Sequence, residues 1–142
     1  MGIYEELGVR TVINAAGAVT RYGGSLAAPE VMEIMSEASQ QFCILDELHE
    51  KVGQKIAAML DVEAAYVTAG AACGMLLTAA ACMAGNDPVK IAQLPDVTGM
   101  RNEVIIQTLH RIPYDQALRM AGATLIEISD QGTPPTEAMR NA

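Results

Sequence analysis

The stretch AAYVTAGAACGMLLTAAACMAG, residues 64–85, changes its pattern abruptly. A short β-prone run leads into Thr68-Ala69-Gly70, and a long Ala/Leu/Met run of helical character begins at Ala71. The pattern predicts a strand over 64–67, a tight turn at Gly70 and a helix over 71–84. A strand that turns directly into a helix is the building unit of an α/β protein, so this junction constrains the fold more than any other part of the chain.

Small residues at this junction also suggest a chemistry. In an α/β unit, the loop after the carboxyl end of a strand faces the ligand crevice. A helix that begins there offers free backbone N–H groups and the positive end of its dipole, which together bind phosphate. Gly70, Ala71 and Ala72 let a phosphate approach the main chain, and Thr68 adds a hydroxyl donor. Tight packing of a helix on a sheet also favours Gly and Ala, and no Walker or Rossmann spacing is present, so the pattern leaves both interpretations open.

The rest of the chain fits an α/β fold. EVIIQ (103–107) and ATLIEIS (123–129) read as buried strands that alternate with helices, which predicts βαβ connections and a mostly parallel sheet. We expect a segment of helices and loops over 1–60 and the first part of the α/β domain over 61–142. The connection 89–102 reads as a loop. The last residues open an amphipathic helix without a C-cap, which predicts the N-terminal portion of a larger protein.

Composition excludes several classes of function. Seventeen acidic residues against nine basic ones give a formal net charge of −8, which disfavours a nucleic-acid-binding surface. The three cysteines form no CxxC pair, as expected in a reducing compartment. No signal peptide and no membrane span is recognisable, and no metal-ligand spacing stands out. The sequence therefore predicts a soluble cytoplasmic protein without a membrane partner.

Four segments carry a resemblance to a known family, and their order and spacing matter more than any one of them. They are INAAGAVTRYGGS, FCILDELHEKVGQKIAAML, EAAYVTAGAACGMLLTAAACMAG and NEVIIQTLHRIPYDQALRMAGATLIEIS. Together they resemble the start of a pyridoxal-phosphate (PLP) enzyme of the aspartate-aminotransferase fold (fold type I). More narrowly, the chain resembles the selenocysteine-synthase-like group, seryl-tRNA selenium transferase and its relatives, which include ammonia-lyase-type enzymes acting on amino-sugar acids. The resemblance covers essentially the whole chain.

The resemblance assigns roles to individual residues. It places Gly70, Ala71 and Ala72, with Thr68 beside them, at the phosphate of PLP. It places His110 where relatives present a side chain to the face of the pyridine ring; the alternative is a polar residue at a strand end. The loop around Asn14 and Thr20-Arg21 would lie toward the substrate. Arg21 would hold a carboxylate or phosphate there, or is a plain loop arginine.

The resemblance also predicts what this chain lacks. PLP chemistry needs a lysine for the Schiff base, and in this fold the lysine comes later than residue 142. The chain alone is therefore expected to be inactive. The whole enzyme would act at Cα or Cβ of an amino acid or amino-sugar acid, by elimination or replacement through an aldimine, and would form a homodimer. A tRNA substrate is possible but disfavoured by the acidic charge and by the short segment before Asn14. The alternative from another class is a non-enzymatic α/β interaction module.

Overall fold

A computed structural model describes residues 2–129 and 135–141 of the chain. The chain divides into two compact units, residues 1–47 and residues 48–142. This division follows contacts within the chain, and the predicted functional division at 60/61 stays a prediction. In the described part of the chain, no helix combines the length and the apolarity needed to cross a membrane.

The first unit is made of short helices joined by loops. Helix α1 spans Ile3–Glu6, a 3-10 turn spans Thr20–Tyr22, and helix α2 spans Pro29–Ala38. Pro29 occupies the first turn of α2, where its missing N–H costs nothing. Among residues 2–47, all are exposed except the half-buried Val19 and Gly24. This unit therefore has no apolar core of its own.

The second unit contains the predicted parallel sheet. Helix α3 (Leu45–Leu60) leads into it, and α4 (Ala71–Ala84) and α5 (Pro88–Gln93) follow. Strand β1 (Glu103–Gln107), helix α6 (Gln116–Met120), strand β2 (Thr124–Ile128) and helix α7 (Pro135–Asn141) complete the order. The two strands are parallel, with a register that runs from Glu103↔Thr124 to Gln107↔Ile128. A β–α–β connection and an α/β fold are confirmed.

Two local predictions are wrong. Residues 64–67 form no strand, because within the described residues no neighbouring strand pairs with them; the two-stranded sheet contains only β1 and β2. Extended backbone without a ladder partner does not become a strand. The connection 89–102 is not all loop, since α5 occupies its start. The Asp87 carboxylate accepts hydrogen bonds from the N–H groups of Val89 and Lys90, which caps that helix.

The core lies between α4, α6 and the start of β2. Its buried members are small or flexible: Ala79 and Met83 of α4 pack with Ala121 and Ala123. Half-buried apolar side chains surround them: Leu76, Ala80, Leu94, Val97, Met100, Val104 and Leu118. Small side chains let the backbones approach closely, so α4 is held against the segment that carries the sheet.

Candidate cofactor site

The N-terminus of α4 is open and its backbone donors are free. Gly70 is the N-cap, and the first bond of the helix runs from the N–H of Gly74 to the carbonyl of Gly70, 3.0 Å. No side chain caps the helix, and in the described ranges 2–129 and 135–141 the N–H groups of Ala71, Ala72 and Cys73 have no acceptor. All three residues are exposed. These are the features that favour an anion at a helix N-terminus.

Gly70 has a backbone conformation that other residues adopt only at an energetic cost. Its φ of 145° and ψ of 172° fall in a region essentially reserved for glycine. A Cβ built on Gly70 would meet no heavy atom of the described residues within 4 Å, so these residues leave the space above the turn open. The conformation, rather than crowding, is what requires glycine at this position.

Thr68 shapes the turn from inside. Its hydroxyl donates a hydrogen bond to the carbonyl oxygen of Gly70 at 3.0 Å, which fixes the peptide that precedes Ala71. The predicted hydroxyl donor is thus already committed to the main chain in this conformation. Thr68 also lines an open cavity of about 520 Å³, together with Tyr66, Gly74, Leu77, Thr78 and Ala81.

A pair of stacked rings lies behind the same loop. The imidazole of His49 on α3 stacks on the phenol ring of Tyr66, with centroids 4.8 Å apart and planes 11° apart. His49 Nδ1 is buried and has no hydrogen-bond partner among the residues that the structure describes. The sequence does not indicate this pair, because the rest of α3 and the loop after it separate the two residues in the chain. The stack ties the loop before α4 to α3.

His110 follows the carboxyl end of β1, which agrees with the alternative of a polar residue at a strand end; its role at the pyridine ring stays a prediction. It ends a 3-10 turn, Thr108–His110, that begins directly after the strand. His110 is exposed, and in the part of the chain that the structure describes its imidazole makes no hydrogen bond, ion pair or ring contact. The carboxyl end of a parallel strand is where α/β proteins present ligand-binding side chains.

The residues predicted to face the substrate belong to the first unit. Asn14 lines a cavity of about 530 Å³ there, but its amide is used within its own loop. Its Nδ2 donates to the carbonyl of Gly17 at 2.6 Å, and its Oδ1 accepts from the N–H of Ala16 at 3.0 Å. Thr20 and Arg21 lie in the exposed 3-10 turn and do not line this cavity. Their substrate role stays a prediction.

The structure contains an ionic network next to His110 that the sequence analysis does not predict. Arg111 Nε donates to Asp115 Oδ2 at 2.5 Å, and Arg111 Nη1 donates to the carboxylate of Glu127 on β2. Arg119 Nη2 reaches the other oxygen of Asp115 at 3.4 Å. The hydrogen bond from Arg111 holds the pKa of Asp115 below its ordinary value of 3.8, although burial acts in the opposite direction. The i,i+4 spacing of Arg111, Asp115 and Arg119 is the sequence signal that indicates these ion pairs.

The chain is similar to known enzymes over nearly its whole length. It is 35% identical over 130 residues to D-glucosaminate-6-phosphate ammonia lyase of Salmonella typhimurium (strain 14028s / SGSC 2262), which covers 89% of the chain and 35% of the relative. It is 29% identical over 144 residues to a 5'-C-glycyluridine monooxygenase-decarboxylase of a Streptomyces species, which covers 98% of the chain and 36% of the relative. No protein-family model matches the chain.

The similarity extends to three dimensions. The solved structure of a D-glucosaminate-6-phosphate ammonia lyase matches 100% of the chain with a TM-score of 0.92 at 32% identity, and the chain covers 40% of that structure. The chain spans about a third of the length of the curated relatives it matches, 35% and 36%. It is a homologue of D-glucosaminate-6-phosphate ammonia lyase over the residues that the two share.

Proposed function

We propose that this chain supplies the phosphate-binding segment of a PLP-dependent enzyme that acts at Cα or Cβ of an amino acid or amino-sugar acid. The observation that carries the proposal is the open N-terminus of α4: Gly70 has a conformation reserved for glycine, and the three N–H groups after it have no acceptor among the described residues. Homology to an ammonia lyase supports elimination of ammonia over replacement.

The residues at the start of α4 fit a phosphate group. The N–H groups of Ala71, Ala72 and Cys73 donate to its oxygens, and the helix dipole favours its negative charge. The absence of any atom above Gly70 leaves room for the phosphate to approach the main chain. Thr68 acts by holding the Gly70 carbonyl, so that the following N–H groups point away from the loop. His110 provides an imidazole for the ring of the cofactor.

Bound PLP would supply an electron sink for the carbanion formed at the substrate, and this chain would hold the cofactor in place. Its three lysines do not occupy the positions from which the fold presents ligands. Lys51 and Lys55 lie on α3 and Lys90 lies on α5, and none follows β1 or β2. We therefore propose that the lysine that binds PLP covalently is none of these three.

An amino-sugar acid is the favoured substrate. The relative with 35% identity is named for a lyase of D-glucosaminate 6-phosphate, a phosphorylated amino-sugar acid. The net charge of −8 disfavours tRNA. The selenium-transferase branch of the resemblance is the second choice, and neither of the two relatives reported above is such an enzyme. We place the reaction in the cytoplasm.

The test uses the protein that carries this chain. Its spectrum should show bound PLP that disappears on borohydride reduction, and D-glucosaminate 6-phosphate should release ammonia. Mass spectrometry of the reduced protein should find no label on Lys51, Lys55 or Lys90. A protein that binds no PLP would refute the proposal; stoichiometric label on one of these lysines would refute the assignment of the covalent site.

Homodimerisation is a separate proposal, and the first unit supports it. The solvent-accessible areas of Phe42, Ile44 and Leu45 are 109%, 62% and 65% of those of a fully exposed reference residue. No residue of 2–47 is buried. Apolar side chains exposed in this way mark a surface that another chain covers. Light scattering of the full-length protein that carries this chain should give twice the mass of one copy. A monomer at micromolar concentration would contradict the proposal.

The same exposed surface favours the alternative, a non-enzymatic interaction module. The two functions differ in the chemistry at α4. An interaction module binds neither PLP nor inorganic phosphate at Gly70, whereas the proposed enzyme segment binds both. Titration with PLP therefore decides between them.

A further inference from the structure

The turn that carries His110, Thr108–His110, is held by a hydrogen bond at each end. At its start, the Thr108 hydroxyl donates to the carbonyl of Ile128 at the end of β2, 3.2 Å. At its end, the N–H of Arg111 closes the turn onto the carbonyl of Thr108, 3.3 Å. Leu109 and His110 lie between these points, and both are exposed. The turn is thus held by its flanks, and the side chains in between make no hydrogen bond within the described residues.

The side chain of Arg111 holds the end of the turn by two charged hydrogen bonds, whereas Thr108 holds its start by a neutral one. Its guanidinium donates to two carboxylates from different elements: Asp115, at the start of α6, and Glu127, on β2. The Asp115 side chain is 4% exposed and the Arg111 side chain 31% exposed, so this contact is shielded from water more than a surface ion pair. A guanidinium serves two carboxylates at once because its donors diverge in a fixed plane.

Asp115 is itself held in place. Its N–H donates to the carbonyl of Ile112 at 3.0 Å, and Arg119 reaches its second oxygen at 3.4 Å from the far side. Arg111 therefore binds a carboxylate that is itself held by two further contacts, and Arg111 directly follows one residue of the turn. That residue is His110.

We infer that Arg111 is a positioning residue for His110: by joining β2 to the start of α6, it fixes the direction in which the imidazole leaves the turn. The inference rests on the proposed function, in which His110 faces the ring of PLP. Arg111 touches neither cofactor nor substrate and acts through His110. The ionic network between Arg111, Asp115 and Glu127 thereby acquires a role in binding the cofactor.

The test compares Arg111→Lys with Arg119→Lys in the PLP-free form of the protein that carries this chain. Both changes keep the charge and both guanidinium groups contact Asp115, but within the described residues only Arg111 makes an ion pair with β2. Diethyl pyrocarbonate modifies exposed imidazoles, and mass spectrometry separates His110 from His49. PLP should protect His110 in the parent and in Arg119→Lys. Arg111→Lys should need about tenfold more PLP for half protection, by analogy with residues that orient metal ligands.

A double-mutant cycle distinguishes positioning from a structural role. If Arg111 acts through His110, Arg111→Lys weakens PLP binding in the parent and has no further effect in a His110→Ala background. An equal loss in both backgrounds overturns the inference. Absence of PLP protection at His110 in the parent instead refutes the proposed place of His110, which is a failure of the proposed function.

Glu127→Gln covers the case in which Arg111→Lys does not fold. It weakens only the contact to β2 and leaves Asp115 and Arg111 in place. We expect the same loss of protection at His110, smaller in size. Protection unchanged from the parent in Glu127→Gln, with Arg111→Lys unfolded or likewise unchanged, overturns the inference.

Discussion

The same substitution at two glycines four residues apart should change stability in opposite directions. Gly70→Ala places a Cβ on a residue with φ 145° and ψ 172°, a conformation that costs a non-glycine residue about 1–3 kcal/mol. Nothing within 4 Å of the new Cβ compensates for that strain by contact. The free energy of unfolding of Gly70→Ala should therefore fall by about 1–3 kcal/mol.

Gly74→Ala is the matched control inside α4. Its φ is helical, and the new Cβ would lie 3.6 Å from Thr68 Oγ1, an ordinary van der Waals distance. Alanine in a helix interior is favoured over glycine by about 1 kcal/mol. We expect Gly74→Ala to raise the free energy of unfolding by about that amount.

Urea unfolding of the 142-residue chain, followed by circular dichroism, measures both effects. With a slope of about 2 kcal/mol/M, the midpoint should fall by about 0.5–1.5 M in Gly70→Ala and rise by about 0.5 M in Gly74→Ala. Inorganic phosphate should bind less tightly to Gly70→Ala and equally to Gly74→Ala. A Gly70→Ala chain as stable as the parent would refute the reasoning, because it would show that Gly70 has no need of its glycine-only conformation.

Three other outcomes follow from local geometry. Gly53→Ala should destabilise the chain by about 1–3 kcal/mol, because its Cβ would clash with the backbone oxygen of Ala65; unchanged urea unfolding would contradict this. Asp115 has a pKa below its ordinary value of 3.8, so its contribution to stability is present above pH 4 and is lost as pH falls through the lowered pKa. When the pH is lowered from 5 to 3, the free energy of unfolding should accordingly fall less in Asp115→Asn than in the parent. An equal fall in both proteins would argue against the contact with Arg111. In a Thr68→Val variant the midpoint of phosphate binding should rise, whereas Thr68→Ser should restore it, since only the serine keeps the hydroxyl that donates to Gly70.

The sequence predicted the elements that depend on local pattern. EVIIQ and the Ala/Leu/Met run over 71–84 form strand β1 and helix α4, because their periodicity and composition agree with the tertiary structure. The local pattern could not show that residues 64–67 form no strand, since a strand exists only when another one pairs with it. The sequence does not predict helix α5 because Asp87 and Pro88, which begin the helix, are also typical of turns.

The candidate site divides in the same way. Gly70 and its small neighbours stand next to each other in the chain, so their joint role is visible in the sequence. The network around Arg111 joins residues from three elements, and its partner Glu127 is identified only by the register of β2 against β1. Contacts of this kind depend on which strands are adjacent, and no property of Arg111 or Glu127 alone reveals the pair.

The two parts of the proposed site are held by different forces. Helix α4, whose own sequence contains no charged residue, is fixed by apolar contacts of Ala79 and Met83 with the segment around Ala121. The turn that carries His110 is fixed by Arg111 between two carboxylates, one of them with a lowered pKa. Protonation of Asp115 therefore weakens the support of the turn and leaves the support of α4 intact. The position of α4 and the turn at Gly70 should thus survive acid that already loosens His110, because apolar burial does not titrate.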